Sequence, residues 1–535
     1  MRPARRPPAR AATTLAAVLL ACAVGIVSTA CTVGPSERPP VAVRGDGVAG
    51  PLAPAVPVPA PGTPNLPVPD PQRPLAEFVD CTDEVLAVAT VPVPADRTLR
   101  ADCTELTVPS DPEQPQLGRT RVGLVRIGLA DAPEDRPPLL VIGDSAADPS
   151  AGHAVTVAAQ VPLPVLQAFT LVGLDRRGVG SDALDCASAD ARAALVDADA
   201  TDEAALAELL EQARQVVQDC HVLLSGGASG FRTASTASDI AEVRAALGVQ
   251  RLSAVGVGDG ATALARWAAG DPAAVGRLVL DGPPDPTLDE PARSEARAKA
   301  AEATFDAFAL ACTSAPECPL GADPRATVTA LVERLRLQEL RAPDLRVLTA
   351  GGTLTAVLAG LTEPRTWPTL AAALAAADAG DPVPLLDLLD PVAGLGGRFD
   401  ATIATACNDA ARRLSPGEIA TLAEGWAHDY PMFGTTLALR LLACGPWPTV
   451  ADPPPAPVGP LPPVLVLGTA HDPRGPAEGS RRVAELLPSG RFLSWQGSGT
   501  GAWPRTPCVD DAVGRLLVDG VAPEGGLEHS LLCPP

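Results

Sequence analysis

Residues 252–270, LSAVGVGDGATALARWAAG, have the pattern of a strand that turns sharply into a helix, a turn at which a nucleophile can be presented. Gly256 and Gly260 flank this turn, and small residues there let the strand and the helix approach closely. For acyl transfer the middle position must carry a nucleophile, usually serine. Here it is Gly258, which has no side chain. The residues therefore predict the geometry of a nucleophile site without its nucleophile.

Asp259, the next residue, is an alternative nucleophile. Its use would shift the turn by one residue and would place the β-branched Val257 at a position that needs a small side chain. A carboxylate in the first turn of a helix is also favoured by the helix dipole. We therefore interpret Asp259 as a helix N-terminal residue.

The elements around this turn predict an α/β fold. Short buried strands such as PPLLVIGD and VGRLVLDG alternate with amphipathic helices, which indicates a mostly parallel sheet covered by helices. Residues 76–285 are predicted to form the N-terminal part of this core, and residues 456–535 its C-terminal part. Residues 286–455 are rich in Ala and Leu at helical spacing and predict a helical lid insertion.

Composition and charge exclude one class of partner. The chain has 535 residues and a formal net charge of −22. An acidic surface repels a polyanion, so we expect no nucleic-acid partner. No phosphate-binding loop or dinucleotide-binding motif is present, and the five histidines and the cysteines show no metal-ligand spacing. We therefore predict neither a metal nor a cofactor.

The N-terminus is typical of an exported protein. Four arginines precede an apolar run, and small residues lead to Cys31, so residues 1–31 are predicted to be a lipoprotein-type export signal lipidated at Cys31. A secreted protein with an incidental Cys31 is the alternative. Residues 32–75 are rich in Pro, Gly and Val and predict an extended tether. The protein is then expected on the outer face of the cell membrane, held by its lipid alone, or secreted.

The cysteines that follow the signal agree with export. They are even in number, which in an exported chain indicates disulfides. The simplest arrangement joins sequence neighbours into local bridges, although sequence does not fix the connectivity. The proposed disulfide cysteines are Cys81, Cys103, Cys186, Cys220, Cys312, Cys318, Cys407, Cys444, Cys508 and Cys533.

Five ordered segments resemble one family. They are DRRGVGSD, TASTASDIAEVRAALG, AVGVGDGATALARWAAGDPAAVGRLVLDGPPDP, PVLVLGTAHDPRGPAEGSRRVAELLP and GSGTGAWPRTPCVDDAVGRLLVDG. Together they are similar to the α/β-hydrolase superfamily, in particular to the actinobacterial secreted tripeptidyl-aminopeptidase-like group with its TAP-like C-terminal domain. The resemblance extends over residues 76–533 and implies the α/β-hydrolase fold with a helical lid.

The resemblance also implies where a catalytic triad would lie. In this fold the triad occurs in the chain order Ser, Asp, His. The corresponding positions here are Gly258, Asp472 and Thr500, and Asp472 alone has the expected type. A threonine hydroxyl does not titrate near neutral pH and cannot relay a proton as imidazole does. The triad is therefore degenerate, and Asp472 is interpreted as a structural residue that binds backbone N–H groups of its own loop.

The loop that would stabilise an oxyanion is altered as well. Active relatives carry a glycine-rich run after an early strand, which exposes backbone N–H groups. The corresponding run here is GDSAADPSAG, with Gly143, Asp144 and Ser145 at the oxyanion-loop position. Asp144 and Asp148 are expected to add negative charge where an oxyanion would develop, which opposes acyl transfer.

These residues leave three functional hypotheses. The first is an inactive, membrane-tethered α/β-hydrolase homologue whose cleft binds a peptide or a small apolar ligand, or whose surface binds a partner protein. The second is an active exported peptidase or esterase whose base is displaced to His153, His428, His471 or His529. The third is a structural envelope protein with a filled cleft. We favour the first, because nucleophile, base and oxyanion loop are all altered.

Overall fold

The computed structural model describes residues 76–133, 135–146, 149–200, 202–224, 227–394, 397–448, 460–523 and 531–535. The predicted export signal, Cys31 and the predicted tether lie outside these residues, as do Asp148 and His529.

A ten-stranded sheet forms the centre of the described part of the chain. Its strands are β1 (Val79–Asp80), β2 (Leu99–Pro109), β3 (Arg119–Leu129), β4 (Pro138–Ile142), β5 (Thr170–Leu174), β6 (Leu252–Val257), β7 (Val275–Asp281), β10 (Val464–His471), β11 (Gly490–Ser498) and β12 (Leu531–Cys533). Two short strands, β8 (Leu340–Arg341) and β9 (Val347–Leu348), pair separately.

The order of the strands is β1-β2-β3-β5-β4-β6-β7-β10-β11-β12. The pairings from β5 through β12 are parallel, and those of β1, β2 and β3 are antiparallel, so the predicted mostly parallel sheet is confirmed. The chain leaves β4 towards β5 on one side and returns to β6 on the other. The carboxyl ends of β4 and β6 therefore flank a topological switch point, where open α/β sheets bind ligands.

Alternate residues of the central strands enter two different cores. Leu139 and Val141 of β4 pack with Val155 on one face of the sheet, whereas Leu140 and Ile142 pack with Leu264 on the other. Both faces are thus buried, which is why these strands read as continuous apolar runs rather than as alternating ones.

Helices cover the sheet and form the layer above it. Those around the sheet are α1 (Thr82–Ala87), α2 (Ser150–Gln160), α3 (Leu163–Ala168), α6 (Thr233–Ala246), α7 (Asp259–Gly270), α16 (Ala477–Leu486) and α17 (Pro507–Gly514). The others are α4 (Ala189–Asp197), α5 (Glu203–Leu224), α8 (Glu290–Ser314), α9 (Pro324–Leu337), α10 (Ala350–Gly360), α11 (Trp367–Asp378), α12 (Val383–Ala393), α13 (Phe399–Asp409), α14 (Pro416–Asp429) and α15 (Gly434–Leu439).

The helices of the second group have a hydrophobic core of their own. Phe305 and Phe308 of α8 lie 5.4 Å apart between ring centroids, and Phe308 meets Trp367 edge to face at 5.8 Å. Leu195 of α4 and Val216 of α5 belong to the same core. The helical layer therefore includes α4 and α5, which precede the segment that the sequence predicts as the lid insertion.

Five disulfides join cysteines that are neighbours in the sequence, as predicted. They are Cys81–Cys103, Cys186–Cys220, Cys312–Cys318, Cys407–Cys444 and Cys508–Cys533. Such a set of bridges persists in an oxidising compartment and indicates an exported protein. Within the described residues, no helix is both long enough and apolar enough to cross a membrane.

Candidate functional site

The predicted turn between strand and helix lies at the carboxyl end of β6. Strand β6 ends at Val257, Gly258 has φ +59° and ψ −125°, and α7 begins at Asp259. A residue with a side chain is strained in this conformation. A Cβ atom on Gly260 would lie 2.5 Å from the carbonyl oxygen of Gly143, so the loop after β4 touches the turn at a position that only glycine fits.

The side chain of Asp144 occupies the space beside Gly258. A Cβ atom built on Gly258 would lie 2.3 Å from Asp144 Oδ2 and 3.1 Å from Asp144 Cβ. The volume that a nucleophilic side chain would need is therefore filled by a carboxylate from the neighbouring loop. Gly258 and Asp144 fit each other, and serine at 258 would fit only if Asp144 moved.

The two backbone N–H groups that an oxyanion would need are already bonded to carboxylates. In this fold such a site combines the N–H of the residue after the nucleophile with an N–H from the loop after an early strand. Here the N–H of Asp259 donates to Asp144 Oδ2 over 3.3 Å. The N–H of Ser145 donates to Asp259 Oδ1 over 2.8 Å. The protein thus supplies its own anionic oxygens at these donors.

Arginines compensate the two carboxylates. Arg474 Nη1 lies 3.1 Å from Asp144 Oδ1, and Arg176 forms an ion pair with Asp259. Burial by itself would raise the pKa of Asp144, but the Arg474 charge and the N–H of Ala146 bring it below its usual value. Burial raises the pKa of Asp259 in spite of Arg176. The expected negative charge of Asp144 is therefore present, but it is paired with Arg474.

Asp472 and Thr500 lie side by side, as the resemblance implies for the triad positions, but a threonine stands where the catalytic histidine would be. The hydroxyl of Thr500 donates to Asp472 Oδ1 over 2.9 Å, and the N–H of Arg474 donates to the same oxygen over 2.9 Å. Asp472 thus binds a backbone N–H of its own loop. The bond that would orient a catalytic imidazole is replaced by a bond to a hydroxyl, which cannot act as a general base at neutral pH.

A second buried carboxylate lies near this pair. Asp281, at the end of β7, accepts the N–H of Ala502 over 2.8 Å and that of Trp503 over 2.9 Å. Burial raises the pKa of both Asp281 and Asp472 to about 6, and the charge of Asp472 adds to this effect in Asp281.

The raised pKa of Asp472 predicts a pH-dependent stability. A carboxyl whose pKa is higher in the folded than in the unfolded state stabilises the fold below pH 4, and this contribution is lost as the pH rises through about 6. Asparagine at position 472 does not titrate. We therefore expect the free energy of unfolding of the Asp472→Asn variant, relative to that of the wild type, to increase by about 3 kcal/mol between pH 4 and pH 8. Urea unfolding across this range measures the difference.

Thr500→Val is the second arm of this experiment. It removes a hydrogen bond that lowers the pKa of Asp472. The pH at which the contribution of Asp472 to stability is lost should therefore be higher in this variant. An unfolding free-energy difference between Asp472→Asn and wild type that is independent of pH would contradict the prediction.

A cavity of about 590 Å³ opens beside Gly258. Its floor is lined by Asp144, Ser145, Gly258 and Asp259, and its wall by residues of the helical layer together with residues that follow β7 and β10, such as Asp285 and Arg474. Several apolar side chains line it too: Leu195, Leu358, Phe399, Ile403, Leu437 and Leu441. Its volume is in the range of small-molecule sites. Neither Asp472 nor Thr500 lines it.

No histidine of the described residues lines this cavity. His153 lies in α2, His428 is exposed near the end of α14, and His471 is the last residue of β10. The structure therefore does not bring these three predicted alternative bases to the turn. Lys299 does line the cavity, but no hydrogen bond joins it to a hydroxyl in the described part of the chain.

One group of possible metal ligands exists among the described residues, namely Cys186, Cys220 and Asp400. The two cysteines form a disulfide, so their sulfurs are not thiolate ligands. Asp400 accepts a 3.0 Å hydrogen bond from Arg192. These residues do not fit a metal site, and we assign them a structural role.

Sequence reasoning missed the arginines of the site. Arg176 and Arg474 pair with the two carboxylates, and Arg297 and Arg440 line the cavity. Arg474 lies two residues after Asp472, and Arg176 follows Asp175 in the DRRGVG loop, so the sequence places these two arginines next to motif residues without indicating their partners. Arg297 and Arg440 lie in helical segments that carry no motif.

Comparison with known proteins finds relatives that are named as hydrolases. A family model described as TAP-like protein matches residues 430–528. Carboxylesterase B of Mycobacterium tuberculosis is 29% identical over 487 residues, which cover 86% of this chain and 89% of that protein. Serine protease Hip1 of the same species is 28% identical over 79% of this chain and 86% of its own length.

A third relative has the activity after which the group is named. Tripeptidyl aminopeptidase of Streptomyces coelicolor is 25% identical over 444 residues, which cover 78% of this chain and 81% of that protein. The order of the strands and the turn at Gly258 are those of the α/β-hydrolase fold, and residues 430–528 are similar to the TAP-like family.

Proposed function

We propose that this protein is an exported α/β-hydrolase homologue that does not hydrolyse and that uses its cleft to bind a peptide or a small apolar ligand. The observation that carries the proposal is the Asp144 carboxylate. It fills the space beside Gly258 and accepts the N–H of Asp259, which would otherwise stabilise an oxyanion. Gly258 and Thr500 supply neither a nucleophile nor a base.

We further propose that Cys31 carries a lipid and that the protein is thereby held at the outer face of the membrane. The support is the sequence of residues 1–31, together with the disulfides that indicate export. The Pro-rich residues 32–75 would then separate the folded part from the membrane.

The alternative, an active peptidase or esterase, is supported by the names of the relatives. It requires a nucleophile and a base within hydrogen-bond reach of each other in the cleft. The absence of histidine among the described residues of the cavity wall speaks against it. A structural protein with a filled cleft is disfavoured by the cavity of about 590 Å³.

A hydrolysis screen tests the proposal. The purified full chain is incubated with chromogenic short-chain esters and with N-terminal di- and tripeptide anilides. We expect no turnover above buffer, because the described cavity provides neither an activated nucleophile nor free oxyanion donors. Turnover that is lost when a single cavity residue such as Ser145 or Thr262 is replaced by alanine would contradict the proposal.

A further inference from the structure

Two arginines on the cavity wall lack a carboxylate partner. Arg297 of α8 and Arg440, directly after α15, both line the cavity. Within the described residues, neither has a carboxylate oxygen within ion-pair distance. Arg440 donates to the hydroxyl of Thr355, a neutral group, and Arg297 makes no hydrogen bond there.

The carboxylates nearest the floor of the same cavity are already engaged. Asp144 is paired with Arg474, Asp259 with Arg176 and Glu290 with Arg293. Asp409 accepts the N–H of Thr233 over 3.0 Å and also its hydroxyl. These four carboxylates therefore do not neutralise the positive charges of Arg297 and Arg440.

Two further carboxylates of the cavity wall also do not pair with these arginines. Asp285 accepts hydrogen bonds from the backbone N–H and the hydroxyl of Thr287, and Glu478 is exposed at the start of α16. Neither lies within ion-pair distance of Arg297 or Arg440 in the described structure. The cavity thus holds cationic groups that a mobile anion can reach.

The two arginines also influence each other. Loss of solvent, together with the charge of Arg297, lowers the pKa of Arg440 to about 10. Loss of solvent likewise lowers the pKa of Arg297, to which Arg474 contributes. At neutral pH both remain cations. Arg297 is exposed and Arg440 is half-buried, so an anion can reach both, and a bound anion offsets the repulsion between their like charges.

We propose that the cavity binds an amphiphile whose anionic head group, a carboxylate or a phosphate, is held by Arg297 and Arg440. The planar guanidinium matches the oxygens of both head groups and is weakly hydrated, which suits a partly enclosed site. The apolar chain of the ligand would lie against wall residues such as Leu358, Phe399 and Leu437. This inference rests on the proposed function, because it assigns a ligand class to the same cleft.

Calorimetric titration of the full chain tests the inference with a matched series of probes. Dodecanoate and dodecyl phosphate carry the two anionic head groups, whereas dodecanol and dodecyltrimethylammonium carry a neutral and a cationic one, all below their micelle concentrations. We expect both anions to bind at least about 10-fold more tightly than the neutral and cationic probes. Acetate and inorganic phosphate show whether the head group alone is sufficient.

Arginine variants assign the binding to the two side chains. Arg297→Gln and Arg440→Gln should each weaken dodecanoate or dodecyl phosphate binding by about 10-fold or more, with no effect on dodecanol. Arg440→Lys keeps the charge and should retain part of the affinity. Arg214→Gln removes an exposed arginine of α5 outside the cavity and is the matched control. Circular dichroism confirms that each variant is folded.

The outcomes separate this inference from the proposed function. Equal binding of dodecanol and the anions, or no binding of any anion, overturns the inference while a silent hydrolysis screen leaves the proposed function intact. Turnover of an ester overturns the proposed function, and the preference for anions can still be measured with the probe series. If a glutamine variant does not fold, the comparison of probes on the wild type still decides.

Discussion

The double variant Gly258→Ser/Thr500→His is expected to remain without activity, although it restores the residue types of a catalytic triad. A Cβ atom at position 258 would lie 2.3 Å from Asp144 Oδ2, so the new serine and the carboxylate compete for one space. The N–H of Asp259 also remains bonded to that carboxylate, and no oxyanion can use it. Restoring two residues therefore does not restore the site.

The triple variant that adds Asp144→Gly should behave differently. Removal of the carboxylate clears the space beside residue 258 and frees an oxyanion donor, and one such donor contributes about 10²–10³-fold in rate. We expect labelling by a serine-reactive fluorophosphonate and measurable ester turnover, neither of which the double variant should show.

Asp144→Gly alone is the control for this experiment, because it opens the site without a nucleophile and should not be labelled. Arg474 loses its partner in this variant, so thermal unfolding is measured in parallel. Equal labelling of the double and triple variants would show that Asp144 does not block the site. No labelling of a folded triple variant would show that further parts of the machinery have been lost.

Asp239→Ala should be strongly destabilising, by about 3–5 kcal/mol. Arg177 forms a bidentate ion pair with Asp239 at 2.7 and 2.8 Å, and both side chains are only 3% exposed. Arg177 also donates to the carbonyl oxygens of Pro109 and Gly230. Removing the carboxylate leaves a buried cation without a counter-charge, which is the costly way to break such a pair.

Glu211→Ala provides the comparison. Glu211 pairs with Arg214 on the surface of α5 at 3.0 Å, with both side chains more than half exposed, and such pairs contribute about 0–1 kcal/mol. Urea unfolding at neutral pH measures both variants. If Asp239→Ala cost no more than Glu211→Ala, the Arg177 pair would not stabilise the fold.

The same ion pair connects stability to the site. Arg177 fixes the loop after β5 to α6 and to the end of β2, and the adjacent Arg176 reaches Asp259 at the turn. We therefore expect Asp239→Ala to disturb the floor of the cavity as well as to lower the free energy of unfolding.

The sequence by itself determined the sheet, the turn and the presence of disulfides, and it favoured the local pairing that the structure has. Buried strands such as β4 and β6 are marked by continuous apolar runs, and glycines at 256, 258 and 260 mark a turn that larger residues do not fit. Cysteines that are neighbours in the chain pair because the elements between them return to the same place. These signals are local, and local signals can be read from a sequence.

Tertiary structure alone decided what fills the turn and what lines the cleft. Asp144 lies 114 residues before Gly258, and Arg474 lies 330 residues after Asp144, so their contacts depend on the order of the strands. The sequence indicated that Asp144 brings negative charge, but it could not show that Arg474 compensates this charge or that the carboxylate accepts the N–H of Asp259. Likewise, no sequence motif marks Arg297 and Arg440. Whether an arginine lacks a partner depends on which other charges the fold brings near it, and a local sequence pattern does not contain that information.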